Sequence, residues 1–534
     1  MSDRKPASPR VPVIPGDPVR NRGVAFSADQ AIGQYEYAHS RSVYLPADRP
    51  GDIEKSFAPL GLGAGDVDVI VCSDAGQVPV AGGGRGGGPR TATGKAALYT
   101  AAAGIHPGRV IPVWLDTGTG SEALRSDPFY LGSRRARGRG PDYDAFIDRY
   151  VRTVSALFPG ALLHFAGFSP GSARKIVHGY GGYRVFSDGL QGTGTAVLAA
   201  VYAATRVTGI PLKHQEPVVC GAGADGVALA DLLRAAMTGD GASDEQARSQ
   251  IWLAGPHGLL FDDTPGLRGF QRDFAKQRSR TPWASRPGPV GLAEVIERVA
   301  PTILLATPAA GRTCTRQIIQ AMCQATSRPL ILPISAAAGA TPADIIAWSD
   351  AKALVATGIP AAPVDYDGTT FTIAQASNAL VYPGLGLGVI VSQAARITPR
   401  MLQAAAAALA EQADAAQPGA PLLPGLQDLR ACAVVVAEAV VGAAVTDQVA
   451  SDNPTNLTQA IHRAMWQPAY PGPRLNPDAP SSLPGEIPRP LPARRDRATA
   501  RTGPAQWPAP PGQGPGRSRS ASASSWRPEM PSFS

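Results

Sequence analysis

The sequence predicts an α/β protein of two doubly wound domains flanked by disordered tails, and three observations carry that expectation. Short apolar, β-branched runs bounded by turn residues recur along the chain, as expected of strands buried on both faces. They alternate with longer Ala- and Leu-rich segments, the spacing of helices that cross between parallel strands. The 534 residues, 44% of them hydrophobic, suffice for two or three domains with sizeable cores.

The tails are read from composition. Five Pro fall within residues 1–20, and fourteen fall among Arg, Ser and Gly in 473–534. Such segments bury too little apolar surface to offset the entropy of ordering, so 1–22 and 473–534 are expected to be disordered. They also hold the charge: net +3 over 1–22 and net +5 over 473–534, against +8 for the whole chain. The middle is near neutral, which removes the argument for a nucleic-acid partner.

Between the tails, strands are expected at 67–73, 109–115, 161–165, 217–221, 251–255, 302–306, 329–335 and 353–358. Helices are expected at 94–103, 141–157, 171–179, 192–206, 224–237, 291–299, 341–350, 397–412 and 425–446. The implied division is a first domain over 23–206, a second over 207–395, and helices over 396–472 packing back on the core. No apolar run is seen to reach the ~18 residues of a bilayer span, and the N-terminus lacks a signal pattern. Cys72, Cys220, Cys314, Cys323 and Cys432 are scattered, which suits a reducing compartment. A cytoplasmic protein with no membrane association is expected.

The strongest local signal is VVCGAGADGVALADLL, a strand running into Gly221, Ala222, Gly223, Ala224, Asp225 and Gly226 and then a helix. The first Gly makes the tight turn, the second admits a pyrophosphate close to the backbone, and the third allows close helix–strand packing. The helix N-terminus then faces the phosphates with its partial positive charge. This marks the second domain as a Rossmann-type dinucleotide-binding domain. The next strand ends in Ala254-Gly255, without the acid that would bind a ribose 2′-hydroxyl, and no Arg stands there for a 2′-phosphate. The choice between NAD and NADP therefore stays open, and weak binding is expected. A second Gly-rich stretch, AGGGRGGGPRTATGKAALYT, fails the P-loop pattern at Pro89 and Ala96. Its Gly run at 82–88 reads as a flexible loop and Lys95 as opening a helix.

Longer blocks resemble malic enzyme, with the bacterial NAD-dependent branch nearest. They are TGKAALYTAAAGIHPGRVIPVWLDTGT, DPFYLG, YDAFIDRYV, FPGALLHF, FSDGLQGTGTAVLAAV, SNALVYPGLGLGVI and DNPTNLTQAIHRAMWQPAYP, in family order over about 60–470. The resemblance implies a malic-enzyme-like N-terminal domain, a NAD(P)-binding domain and a homo-oligomer. It also implies oxidative decarboxylation of malate to pyruvate and CO₂ with NAD or NADP and Mg²⁺ or Mn²⁺. By the same resemblance Lys95 would be the general base, Asp188 an acid or base (or a helix cap), and Asn378 a substrate contact.

Departures from the family pattern shape the expected chemistry. The family's Glu-Asp pair after the strand LLHF is Ala166-Gly167 here, and its metal-ligating second Asp in the FSDGLQGT block is Gly189. A hard cation needs oxygen ligands, so no metal ligands are assigned. Ser335-Ala336-Ala337 and Gln375-Ala376-Ser377-Asn378 also differ from the family blocks, and the family's Tyr segment is missing, with Tyr35, Tyr37 and Tyr44 outside its motif. His164 and His178 are weighed as replacement ligands and set aside as packed residues. Malic-enzyme-type chemistry, weakened or absent, is expected. The alternatives are a non-catalytic family member serving binding or assembly, and a metal-free NAD-dependent dehydrogenase acting on another hydroxy acid.

Overall fold

The order of strands in two parallel sheets decides where this chain can build a site. The computed structural model describes residues 42–76, 87–128, 130–286 and 288–467. The tails expected over 1–22 and 473–534 lie outside the described residues, as do Tyr35, Tyr37 and most of the 82–88 Gly run.

The first sheet holds β1 (Val43–Pro46), β2 (Val69–Ser73), β3 (Val110–Asp116), β4 (Leu162–Phe165) and β5 (Val185–Ser187), all parallel, in the order β1-β3-β2-β4-β5. Every residue of β2 and β4 is buried, which is why these strands read as unbroken apolar runs.

The second sheet holds β6 (Pro217–Cys220), β7 (Trp252–Gly255), β8 (Gly258–Leu259), β9 (Ile303–Ala306), β10 (Leu330–Pro333) and β11 (Leu354–Thr357). A hairpin follows, β12 (Val364–Tyr366) with β13 (Thr369–Phe371), and β14 (Ala374–Gln375) closes the far edge beside β11. The order β8-β7-β6-β9-β10-β11 is that of a Rossmann sheet, with its third strand replaced by the short antiparallel β8. Strand order reverses between β6 and β9, so the ligand crevice opens at the carboxyl ends of these two strands.

Helices cover both sheets: α1 (Ile53–Phe57), α2 (Gly87–Ala103), α3 (Glu122–Ser126), α4 (Pro141–Leu157), α5 (Pro170–Gly179), α6 (Thr193–Thr208), α7 (Ala224–Gly239), α8 (Asp244–Gln250), α9 (Leu292–Val299), α10 (Arg316–Ala325) and α11 (Pro342–Trp348). Four more follow: α12 (Tyr382–Ser392), α13 (Pro399–Ala410), α14 (Leu429–Thr446) and α15 (Leu457–Ala464). One apolar cluster runs from α2 through α6, α12, α13 and α14 to the second sheet, including Tyr99, Val197, Leu305, Leu385 and Val436.

The eight expected strands are present within two residues at each end. Three expectations need correction. Lys95 does not open a helix; α2 starts at Gly87, with Pro89 in its first turn, and Lys95 lies in its interior. The segment SNALVYPGLGLGVI, given no helix by sequence, contains α12, because its glycines let it close on its neighbours. A Cβ on Gly384 would lie 2.6 Å from the Ala433 carbonyl oxygen, and one on Gly388 would lie 2.7 Å from Val440 Cβ. Tertiary packing there outweighs poor helix propensity. Finally, α14 belongs to a stretch (426–446) that is long and apolar enough to cross a membrane. In this fold its apolar stripe, including Ala433, Val436, Val440 and Ala444, is buried in the core.

Candidate active site

Lys95 and Asp188 meet where the first sheet ends against α2. Asp188 follows β5 directly and begins a π-type turn, Asp188–Gly192, of the kind that often marks functional positions. Lys95 Nζ lies 2.6 Å from Asp188 Oδ2, with the two side chains 6% and 3% exposed. Burial alone would push the Asp188 carboxyl up, but Lys95 and then His164 more than offset it and hold it well below the usual carboxylate range. Asp188 caps no helix through its side chain. Its second oxygen, Oδ1, is buried without a hydrogen-bond partner among the described residues.

Three residues complete the pair's surroundings; of these only His164 is weighed on sequence, as a metal ligand set aside as packed. His164, on β4, has Nε2 3.6 Å from Asp188 Oδ2 and Nδ1 3.0 Å from the Tyr99 hydroxyl. Tyr99 lies four residues after Lys95 on α2 and so shares its face. The Tyr382 ring lies under Lys95, with its centroid 4.8 Å from Nζ. The Lys95/Tyr99 spacing and the position of His164 two residues before Ala166 were the available signals; Tyr382 comes from a distant element. Asn378 Nδ2 donates to the Asp188 backbone oxygen at 3.3 Å, which gathers Lys95, Asp188 and Asn378 at one place.

A cavity of about 320 Å³ opens beside this group. Its lining includes Lys95, Asp188, Gly189, Asn378, Asp225 and Thr307, so it joins the first sheet to the crevice of the second.

The Gly-rich turn fits a dinucleotide. Gly221 has φ +94°, and a Cβ there would collide with Thr307 Oγ1 across the β6/β9 crevice. A Cβ on Gly226 would collide with the Gly221 carbonyl oxygen. Gly223 is the N-cap of α7, so Gly221, Ala222 and Gly223 present backbone rather than side chains at the helix N-terminus, with Ala224, Asp225 and Gly226 as its first residues.

A divalent cation does not fit the residues present. Ala166 is fully buried, Gly167 sits at φ +69°, and Gly167 and Gly189 line the cavity without a side-chain oxygen. Among the described residues, no group of three His, Cys, Asp or Glu side chains could hold a metal ion.

A Rossmann-type sheet, a second parallel sheet and a buried lysine–carboxylate pair lining the cavity between them define an α/β protein with a dinucleotide-type Gly-rich turn. Comparison with known proteins narrows it. Residues 23–181 match the family model for the malic enzyme N-terminal domain, and residues 190–445 match that for the malic enzyme NAD-binding domain. A Mycobacterium tuberculosis protein provisionally named malate oxidoreductase (NAD) is 50% identical over 439 residues, covering 82% of this chain and 80% of that protein. NAD-dependent malic enzyme 3 of Bacillus subtilis is 40% identical over 449 residues, covering 82% and 79%. The crystal structure of a malic enzyme from Pyrococcus horikoshii superposes with a TM-score of 0.56 at 19% identity, covering 85% of this chain and 92% of that one. The chain belongs to the malic enzyme family.

Proposed function

We propose that the chain binds a nicotinamide dinucleotide at the Gly-rich turn and a small hydroxy acid such as malate in the cavity beside Lys95. We also propose that the family's metal-dependent oxidative decarboxylation is lost or strongly reduced. One observation carries this reading: Ala166, Gly167 and Gly189 offer no side-chain oxygen, and Gly167 and Gly189 line the cavity that holds Lys95 and Asp188. When bound, the dinucleotide supplies a hydride acceptor. Asp188 holds Lys95 as an ammonium that can donate to a substrate oxygen, and Lys95 can take the proton of a substrate hydroxyl only after releasing its own proton to solvent. Asn378 fixes the Asp188 backbone and lines the floor of the cavity.

Charge developing on the substrate oxygen would face Lys95 alone. A bound divalent ion commonly contributes several kcal/mol at this step, so the absence of ligands for one predicts slow turnover. Self-association into a homo-oligomer is part of the same proposal, as is the division into 23–206, 207–395 and 396–472.

The test is direct. Purified full-length protein receives malate, Mn²⁺ and either NAD or NADP, with dinucleotide binding measured separately by calorimetry. Binding with little reduced cofactor is expected. The variant A166E/G167D/G189D should gain Mn²⁺ affinity and turnover, since Asp is among the residues that best tolerate the left-handed backbone at 167. Turnover of ordinary size by the unmodified protein (median kcat ~10 s⁻¹) would refute the loss of chemistry. Failure to bind either dinucleotide would refute the cofactor assignment.

A further inference from the structure

We propose that the chain holds a second small-molecule site, at the amino ends of β10, β11 and β14, for a carboxylate with an apolar body. It lies at the opposite end of this sheet from the crevice and does not rest on the dinucleotide reading. A cavity of about 470 Å³ opens there, within the ~300–1,000 Å³ range of small-molecule pockets. Ile346 of α11, Leu354 and Val355 of β11, Phe371 of β13, Ile373 and, from the loop between α13 and α14, Leu422 give it apolar walls.

The chain itself holds these walls in place. The Thr372 N–H donates to the Gly419 carbonyl oxygen at 2.9 Å. Gly419, at φ +76°, sits so close to β13 that a Cβ there would collide with the Thr370 carbonyl oxygen. The Tyr366 hydroxyl donates to Asp350 Oδ1 at 3.0 Å, which ties the hairpin to the turn ahead of β11. In that turn Asp350 and Ala351 have φ +52° and +55°, an uncommon conformation for residues with a Cβ, and Lys352 follows them at the rim.

Charge decides the ligand. β10 and β11 pair in parallel with Leu330 opposite Leu354, so Arg328 and Lys352 occupy matching positions two residues ahead of that pair. Both are exposed and line the cavity, and among the described residues no carboxylate lines it with them. Like charges on neighbouring segments repel, and an anion between them relieves the repulsion through charge-assisted hydrogen bonds. Behind the two cations the surface is apolar, so the anion that fits carries a hydrocarbon body to cover it. The site also shares a segment with the active-site cavity. Ile373 lines the one, while Gln375, Ala376, Ser377 and Asn378, directly after it, line the other. Occupancy at Ile373 therefore orders the segment that carries Asn378.

The experiment titrates the full chain calorimetrically with octanoate, kept below micelle-forming concentration, and with octanol and acetate for comparison. Octanoate should bind at least tenfold tighter than either. R328Q/K352Q, changed only at exposed positions, should weaken octanoate binding at least tenfold with Tm unchanged. Amide hydrogen exchange should slow over residues 373–378 when octanoate saturates the chain. No binding overturns the site. Octanoate affinity that matches octanol, or survives in R328Q/K352Q, overturns the role of the two cations, and affinity that matches acetate overturns the apolar body. Exchange unchanged over 375–378 in the saturated chain overturns the link to Asn378.

Discussion

Replacing Asp188 by Asn tests the buried pair most directly. The substitution keeps the shape and one acceptor oxygen but removes the charge opposite Lys95, at a site where both side chains are almost wholly enclosed. Leaving one member of a buried ion pair without its counter-charge costs about 3–5 kcal/mol. With unfolding entropy of about 2.1 cal/mol/K per residue over roughly 400 ordered residues, that cost lowers Tm by about 4–6 °C. The sign of the pH dependence follows from the depressed Asp188 carboxyl. A group whose folded pKa lies below its unfolded value (about 3.9 for Asp) stabilises fully above that value and loses the contribution as pH falls toward the folded one. The Tm gap between the native chain and D188N should therefore be constant from pH 8 to 6 and close below about pH 4. Scanning calorimetry at fixed scan rate measures it, and the K95M/D188L double variant completes a cycle. A D188N shift under 1 °C at pH 7, or a double variant as unstable as the two single changes summed, refutes the claim that the pair holds this junction together.

Three further substitutions probe the scaffold around the site. Gly388→Ala would raise stability by up to about 1 kcal/mol in an exposed helix; here the added methyl presses into Val440, and a loss of about 1–3 kcal/mol is expected in denaturant titration. Gly226→Ala forces a methyl into the Gly221 carbonyl oxygen, so dinucleotide affinity should fall at least tenfold with some loss of Tm; unchanged binding would show that the turn can relax. At α11, the Thr341 hydroxyl accepts from the Asp344 N–H at 3.2 Å while the Asp344 carboxylate accepts from the Thr341 N–H at 2.9 Å. Thr341→Ala should cost about 0.5–2 kcal/mol, and a neutral result by denaturant titration would mean that tertiary contacts alone hold that helix end.

Much of the architecture was legible because it is local. Buried parallel strands such as β2, β4 and β10 are unbroken apolar runs, and the Gly221–Gly226 turn carries its backbone requirement in its own residues. Short strands such as β5 and β8 were not legible, since two or three residues hold too little pattern to exceed the noise of propensity. Helix α12 was hidden for the opposite reason: its glycines argue against a helix locally and are explained only by α14 and Tyr99 pressing against them.

The sequence by itself determined the α/β class and the Gly-rich turn, showed Ala, Gly and Gly at 166, 167 and 189, and singled out Lys95 and Asp188 as candidate site residues. Tertiary structure alone decided that these two form a buried ion pair and that His164, Tyr99 and Tyr382 enclose it. Local order depends on neighbours a few residues apart, which the chain records directly. Charge pairing and burial depend on elements far apart in sequence, and only the packed fold brings them within the few ångströms over which such forces act.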